Sequence, residues 1–140
     1  MITRRAMLCH LAALAGGALA PSLAGAAAPL PAGLFGGQFE LVDHQGRARR
    51  DTDFRGRHML VYFGYTFCPD ICPTDLAIMS QALSALDPAR EAQVQPLFVT
   101  VDPGRDRPEL LAEYVAHFHP RLIGLTGSEA QVAAVARAYR

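Results

Sequence analysis

Lysine and tryptophan are absent from this 140-residue chain, and cysteine is scarce. All thirteen basic side chains are arginine, which excludes a lysine Schiff base or a phosphate-loop lysine. Three cysteines are too few for a disulfide-dense miniprotein. An excess of either charge is missing as well: thirteen basic residues balance thirteen acidic ones. Without a basic stripe, no nucleic-acid partner is expected. The apolar stretch from Ala6 to Ala20 has about fifteen residues, short of the roughly twenty that span a bilayer. What is present is 51% hydrophobic and 19% charged content, which argues against disorder and fits one compact domain.

The early apolar stretch follows Arg4-Arg5, is broken by Pro21, and precedes Ala24-Gly25-Ala26, a small-x-small cleavage pattern. Residues 1–26 therefore read as an export signal, whose twin arginine resembles a twin-arginine leader, or as a retained membrane anchor. Either reading places the remainder in the periplasm or on the periplasmic face of the inner membrane. Cys9 lies too early for a lipoprotein site. Cleavage after Ala26 removes it and leaves Cys68 and Cys72 in a compartment that permits a disulfide. Residues 27–37, with Pro29, Pro31 and three glycines, read as a linker to a domain over 38–140.

Within that domain, Phe39 to Asp43 alternates and ends at His44-Gln45-Gly46, a strand and turn. Asp51 to Gly56 reads as a polar loop. Met59 to Tyr65 is an apolar run suited to a central strand buried on both faces. A helix is predicted over Thr74 to Leu86, with Leu76, Met79, Leu83 and Leu86 as its apolar stripe. Pro96 to Val101 predicts a second buried strand, Pro108 to Phe118 a second helix and Leu122 to Leu125 a third strand. Ser128 and Gln131 form a capping box before a third helix carrying Val132, Val135, Ala136 and Tyr139. Alternating strands and helices predict an α/β fold with a mostly parallel sheet and helices on both faces. The last helix runs to Arg140 with no stop signal, which reads as a chain cut short.

The chemistry concentrates in Phe67-Cys68-Pro69-Asp70-Ile71-Cys72-Pro73, between the apolar strand and the first helix. Pro73 suits the first helical position. Cys72 would then lie at the N-cap, where unpaired N–H groups favour its thiolate. Cys68 and Cys72 can close a disulfide, act as a redox dithiol, or chelate one soft metal ion. Three intervening residues differ from the two of thioredoxin-type pairs. Two thiolates make a poor zinc site but suit copper(I). Among the other candidates, His44, His58, His117 and His119 read as surface or packing residues. Asp70 is too hard a ligand for copper(I) and serves the loop or the helix N-terminus. Tyr62, Phe63, Tyr65 and Phe67 read as core that shields the site. Asp102 and Asp106 near a strand end could suggest a hard metal site, but Asp102-Pro103-Gly104 reads more simply as a turn, and Arg105 and Arg107 as a solvated loop.

Val61 to Thr74, the block Val99-Thr-Val-Asp-Pro103 with Arg105-Asp106, and Phe118 to Gly127 together resemble the Sco/SenC family. The resemblance runs from about Gly36 to Arg140. It implies a thioredoxin-like fold, here lacking the final hairpin and helix, in an exported and often membrane-tethered protein. It further implies one copper ion per chain, bound at Cys68 and Cys72, which match the family's copper-binding cysteines. The implied role is that of a copper chaperone for the dinuclear copper centre of cytochrome c oxidase. The implied partner is the oxidase subunit carrying that centre, or another copper chaperone. The alternative is a thiol-disulfide oxidoreductase acting on the cysteines of a copper-site partner. The family's third ligand, a His on a later hairpin, has no match in these residues, and Arg107 stands where the family usually has Thr.

Overall fold

The computed structural model describes residues 36–139, so the predicted leader and most of the linker lie outside the described residues. A hairpin opens the domain, β1 (Glu40–Asp43) and β2 (Ala48–Arg50). Its turn needs Gly46 at φ +77°, a left-handed conformation that costs other residues strain. The predicted polar loop is instead a short 3-10 turn, Asp51–Phe54, which buries Phe54. Then follow β3 (His58–Gly64), α1 (Ile71–Ser84), α2 (Pro88–Gln93) and β4 (Val94–Thr100). The chain continues through α3 (Pro108–Val115), β5 (Ile123–Thr126) and α4 (Glu129–Tyr139).

The five strands form one sheet in the order β2-β1-β5-β4-β3. β3, β4 and β5 run parallel, while β1 is antiparallel to both β2 and β5. β4 is buried from Gln95 to Thr100 and feeds both cores. Leu97 and Val99 join Leu41, Leu125, Val132 and Val135 under α4. Phe98 faces the other way, with Leu76 of α1 and Leu111 and Val115 of α3. Alternation along one strand thus explains why helices cover both faces.

The expectation that Met59 to Tyr65 forms a central strand is corrected. Among the described residues β3 pairs only with β4 and is the outermost strand. Leu60 is 39% exposed there, at an open apolar cleft that it lines with Ala82, Leu83 and Leu86. β2 and α2 were not foreseen. Three residues and six residues are too short to show periodicity, although Asp87-Pro88 carries the start signal of α2. Leu86, predicted on the stripe of α1, lies beyond the helix end and is exposed. Arg121 joins α2 to the sheet by donating to the carbonyls of Glu91, Ala92 and Val94 at 2.5, 3.3 and 2.7 Å. No helix among the described residues is long and apolar enough to cross a membrane.

Candidate metal centre

β3 ends at Gly64, and the chain turns through Tyr65 and Thr66 to deliver Cys68, whose N–H donates to the Tyr65 carbonyl at 3.2 Å. α1 begins at Ile71, three residues before the predicted start. Pro73 is therefore the third helical residue rather than the first, still within the turn whose N–H groups have no helical acceptor. Cys72 lies inside the first turn, and Asp70 occupies the N-cap without a side-chain cap bond. Asp70 instead contributes its carbonyl, which accepts from the Thr74 N–H at 3.3 Å and the Thr74 hydroxyl at 2.9 Å.

Both cysteines are buried and unbridged. The Cys72 N–H donates to the Cys68 sulfur at 3.4 Å, so the helix N-terminus faces the neighbouring sulfur rather than its own. This corrects the expected direction for Cys72. The Cys68 thiol is lowered, first because the Cys72 thiol and then its N–H donate to it, with the Asp70 N–H and Tyr65 hydroxyl adding to the effect against burial. Cys72 is raised, first by burial and then by its role as donor to Cys68, against donors from the Tyr65 backbone and the Tyr62 hydroxyl. The two thiols are thus pushed in opposite directions, Cys68 down and Cys72 up.

The walls of the site come from β3 and its neighbours. A side chain on Gly64 would put its Cβ at 2.9 Å from the Phe98 ring, 3.0 Å from the Tyr62 ring and 3.1 Å from the Cys72 sulfur. Tyr62 stacks on Phe98 at 6.3 Å and its hydroxyl donates to Asp75 at 3.0 Å. Burial, Cys72 and Asp75 together hold the Tyr62 phenol well above its ordinary value. Phe67 corrects another expectation: it is 60% exposed, as is Ile71, so the two large apolar groups beside the buried sulfurs face solvent. The Arg105 guanidinium lies 5.5 Å from the Phe67 ring centroid, a cation–π distance, and is ion-paired to Asp102.

The histidines do not converge on the pair. His44 Nδ1 accepts from the Gly124 N–H at 3.0 Å, joining β1 to β5. His58 starts β3, at the end opposite the cysteines. His119 is buried, with Nδ1 accepting from the Arg121 N–H at 3.2 Å and Nε2 3.4 Å from Glu91. His117 lines a cleft of about 240 Å³ beside the cysteine loop, with Thr66, Phe67, Leu110, Glu113 and Tyr114. Among the described residues no group of three His, Cys, Asp or Glu is placed to hold a metal. Cys68 and Cys72 are thus the soft donors this region brings together.

Three residues around the site escaped sequence reasoning in their roles. Gly64 ends an apolar run and carries no signal of the crowding around it. Tyr65 read as core, yet its hydroxyl and backbone reach the two sulfurs. Asp106 read as part of a turn, yet it is fully buried.

The sequence model of the SCO1/SenC family matches residues 27–140. The human protein described as "Protein SCO2 homolog, mitochondrial" is 53% identical over 105 residues, covering 74% of this chain and 40% of its own length. The copper-bound ScoI of Bradyrhizobium japonicum is 42% identical, with a TM-score of 0.71 over 76% of this chain and 67% of that one. Copper-bound yeast Sco1 is 40% identical, with a TM-score of 0.72 over 76% of this chain and 59% of that one. The chain spans about two fifths of the length of the curated relatives it matches.

Proposed function

Because the chain belongs to the SCO1/SenC family, we propose that it is a copper chaperone that loads the dinuclear copper centre of cytochrome c oxidase. In this reading Cys68 and Cys72, reduced, hold one copper ion as cargo. The observation that carries it is the Cys72 N–H directed at the Cys68 sulfur, which brings two soft donors together at a helix N-terminus. That setting favours the Cys68 thiolate, and metal binding drives the Cys72 proton off as well. Copper-bound relatives of the same fold support the identity of the metal. A two-sulfur site suits handover, since a partner's thiolates can enter as these leave. Oxidation to a Cys68–Cys72 disulfide removes both donors and releases the cargo. The reading includes export: residues 1–26 direct or anchor the chain, residues 27–37 link it, and 38–140 work in the periplasm or at the periplasmic face of the inner membrane. The partner is the oxidase subunit that carries the copper centre, or another copper chaperone.

Anaerobic titration of the reduced chain with copper(I) against a chromophoric chelator tests the proposal. One bound copper per chain, lost in Cys68→Ala and in Cys72→Ala, is the expected result. No retained copper in folded, reduced protein overturns it.

The unequal thiols favour one second reading, a thiol-disulfide oxidoreductase. The Cys68 thiolate attacks a partner's disulfide and releases one partner thiol. Cys72, losing its proton, then displaces the other, and two electrons pass from this dithiol to the partner. Under that reading iodoacetamide labels Cys68 before Cys72 in the reduced chain, as resolved by peptide mass mapping. A dithiol substrate exchanges rapidly with the oxidised chain while no copper is retained.

A further inference from the structure

Asp106 is a carboxylate with 0% exposure, and its side-chain bonds reach the cysteine loop and the end of β4. Its oxygens accept from the Thr66 N–H at 3.0 Å, the Thr66 hydroxyl at 2.6 Å and the Thr100 hydroxyl at 2.6 Å. Removing a carboxylate from water is costly unless its lone pairs are satisfied, so such a group persists where those bonds matter. Thr66 stands two residues before Cys68, and its main chain and side chain are both held. Thr100 is the last residue of β4, paired in register with Gly64 at the end of β3. The Val101 N–H donates to the Gly64 carbonyl at 2.8 Å.

The ring of bonds closes on itself. The Asp102 N–H donates to the Thr100 hydroxyl at 3.0 Å, and the Asp106 N–H donates to the Asp102 carbonyl at 2.9 Å. Asp106 is thus supplied by a turn that is itself fastened to β4. Cys72 is carried by α1, which packs on the sheet through the fully buried Leu76. Cys68 lies in loop, and Thr66 is its nearest side-chain attachment to the sheet. The geometry points to Asp106 as a positioning residue: through Thr66 and Thr100 it fixes where Cys68 stands relative to Cys72, and so sets the sulfur-to-sulfur geometry offered to a metal or a disulfide. For its cargo this inference rests on the copper reading above. For the thiol pair it stands independently, because the same separation governs the Cys68–Cys72 redox equilibrium.

The experiment uses the full chain as Asp106→Asn, Thr66→Val and Thr66→Ser. Copper(I) affinity is measured by chelator competition. The midpoint potential of the cysteine pair is measured in glutathione buffers, at a temperature where circular dichroism shows every variant folded. Thr66→Val and Asp106→Asn are expected to weaken copper(I) binding by about tenfold or more, the range for lost outer-shell partners. Both are expected to shift the potential, while Thr66→Ser, which keeps the hydroxyl, retains wild-type values. A merely structural role lowers the melting temperature and leaves affinity and potential of the folded protein unchanged, and that result overturns the inference. If Asp106→Asn does not fold, the Thr66→Val and Thr66→Ser pair decides. If the wild type itself retains no copper, the chaperone reading fails, and the potential alone decides the positioning role: a wild-type potential in folded Thr66→Val refutes it.

Discussion

Gly64 has no room for a side chain, and the atoms that crowd it belong to the site. Gly64→Ala must displace the Phe98 ring or the Cys72 sulfur. Overpacking of this kind costs about 1–3 kcal/mol. An unfolding free energy from chemical denaturation reduced by that amount, together with changed alkylation of Cys72, is the expected result. Asp43 shows a different residue-scale effect. Burial pushes its carboxyl up, but the Arg47 N–H, the Arg49 guanidinium, the Gln45 N–H and the Arg47 guanidinium outweigh it. The carboxyl is lowered from the ordinary 3.8 to about 2. A depressed acid stabilises the fold fully above its unfolded value and loses that contribution as pH falls through the folded one. Asp43 therefore contributes on the order of 2 kcal/mol near neutral pH. That share disappears between about pH 4 and pH 2. Urea unfolding across this window should show the slope in the wild type and a smaller one in Asp43→Asn.

The elements differ in how their ends are made. α2 is six residues long, and its N-cap Asp87 accepts from the Arg90 N–H at 3.0 Å. Asp87→Ala is expected to cost about 1 kcal/mol, the usual value of a lost cap, read as a lower thermal midpoint. The capping box of α4 was legible in the sequence: Ser128 and Gln131 exchange bonds at 2.9 and 3.3 Å as their spacing requires. The buried β4 and the Leu111 and Val115 face of α3 were equally legible, because hydrophobic period carries that information. The start of α1 was not. Pro73 was placed at the first helical position because proline is favoured there, but it is also tolerated two residues later, where its missing N–H again leaves no bond unmade. The lowering expected for Cys72 is reversed by burial first and then by its donation to Cys68. The pair itself could be read from its spacing and context, whereas the direction of each thiol depends on burial and on which sulfur donates to the other. Asp106 was illegible for a related reason: a carboxylate four residues after Asp102 reads as a turn until Thr66 is brought to it from 40 residues away.

At the scale of the whole molecule, the cysteine site abuts β4, the strand that feeds both cores. Phe98 crowds Gly64 beside Cys72 and belongs to the core under α1 and α3, while its neighbours Leu97 and Val99 belong to the core under α4. Under the proposed function, copper(I) held at Cys68 and Cys72 stabilises the domain by mass action to the extent that the folded pair binds it more tightly than the unfolded chain does. Excess copper(I) should therefore raise the thermal midpoint of the reduced wild type, and leave that of Cys68→Ala unchanged in a calorimetric scan. The free side of β3 carries the opposite tendency. Outermost among the described strands, β3 with its exposed Leu60 invites pairing with other chains. Sedimentation velocity should show concentration-dependent association that Leu60→Lys reduces.

The two sulfurs are buried, 8% and 4% exposed, while the neighbouring Phe67 and Ile71 stand in solvent. With so little sulfur surface offered to solution, attack on the dithiol by a dissolved reagent waits on a local opening of the chain around it. How long the reduced pair lasts is then a matter of rate rather than of equilibrium.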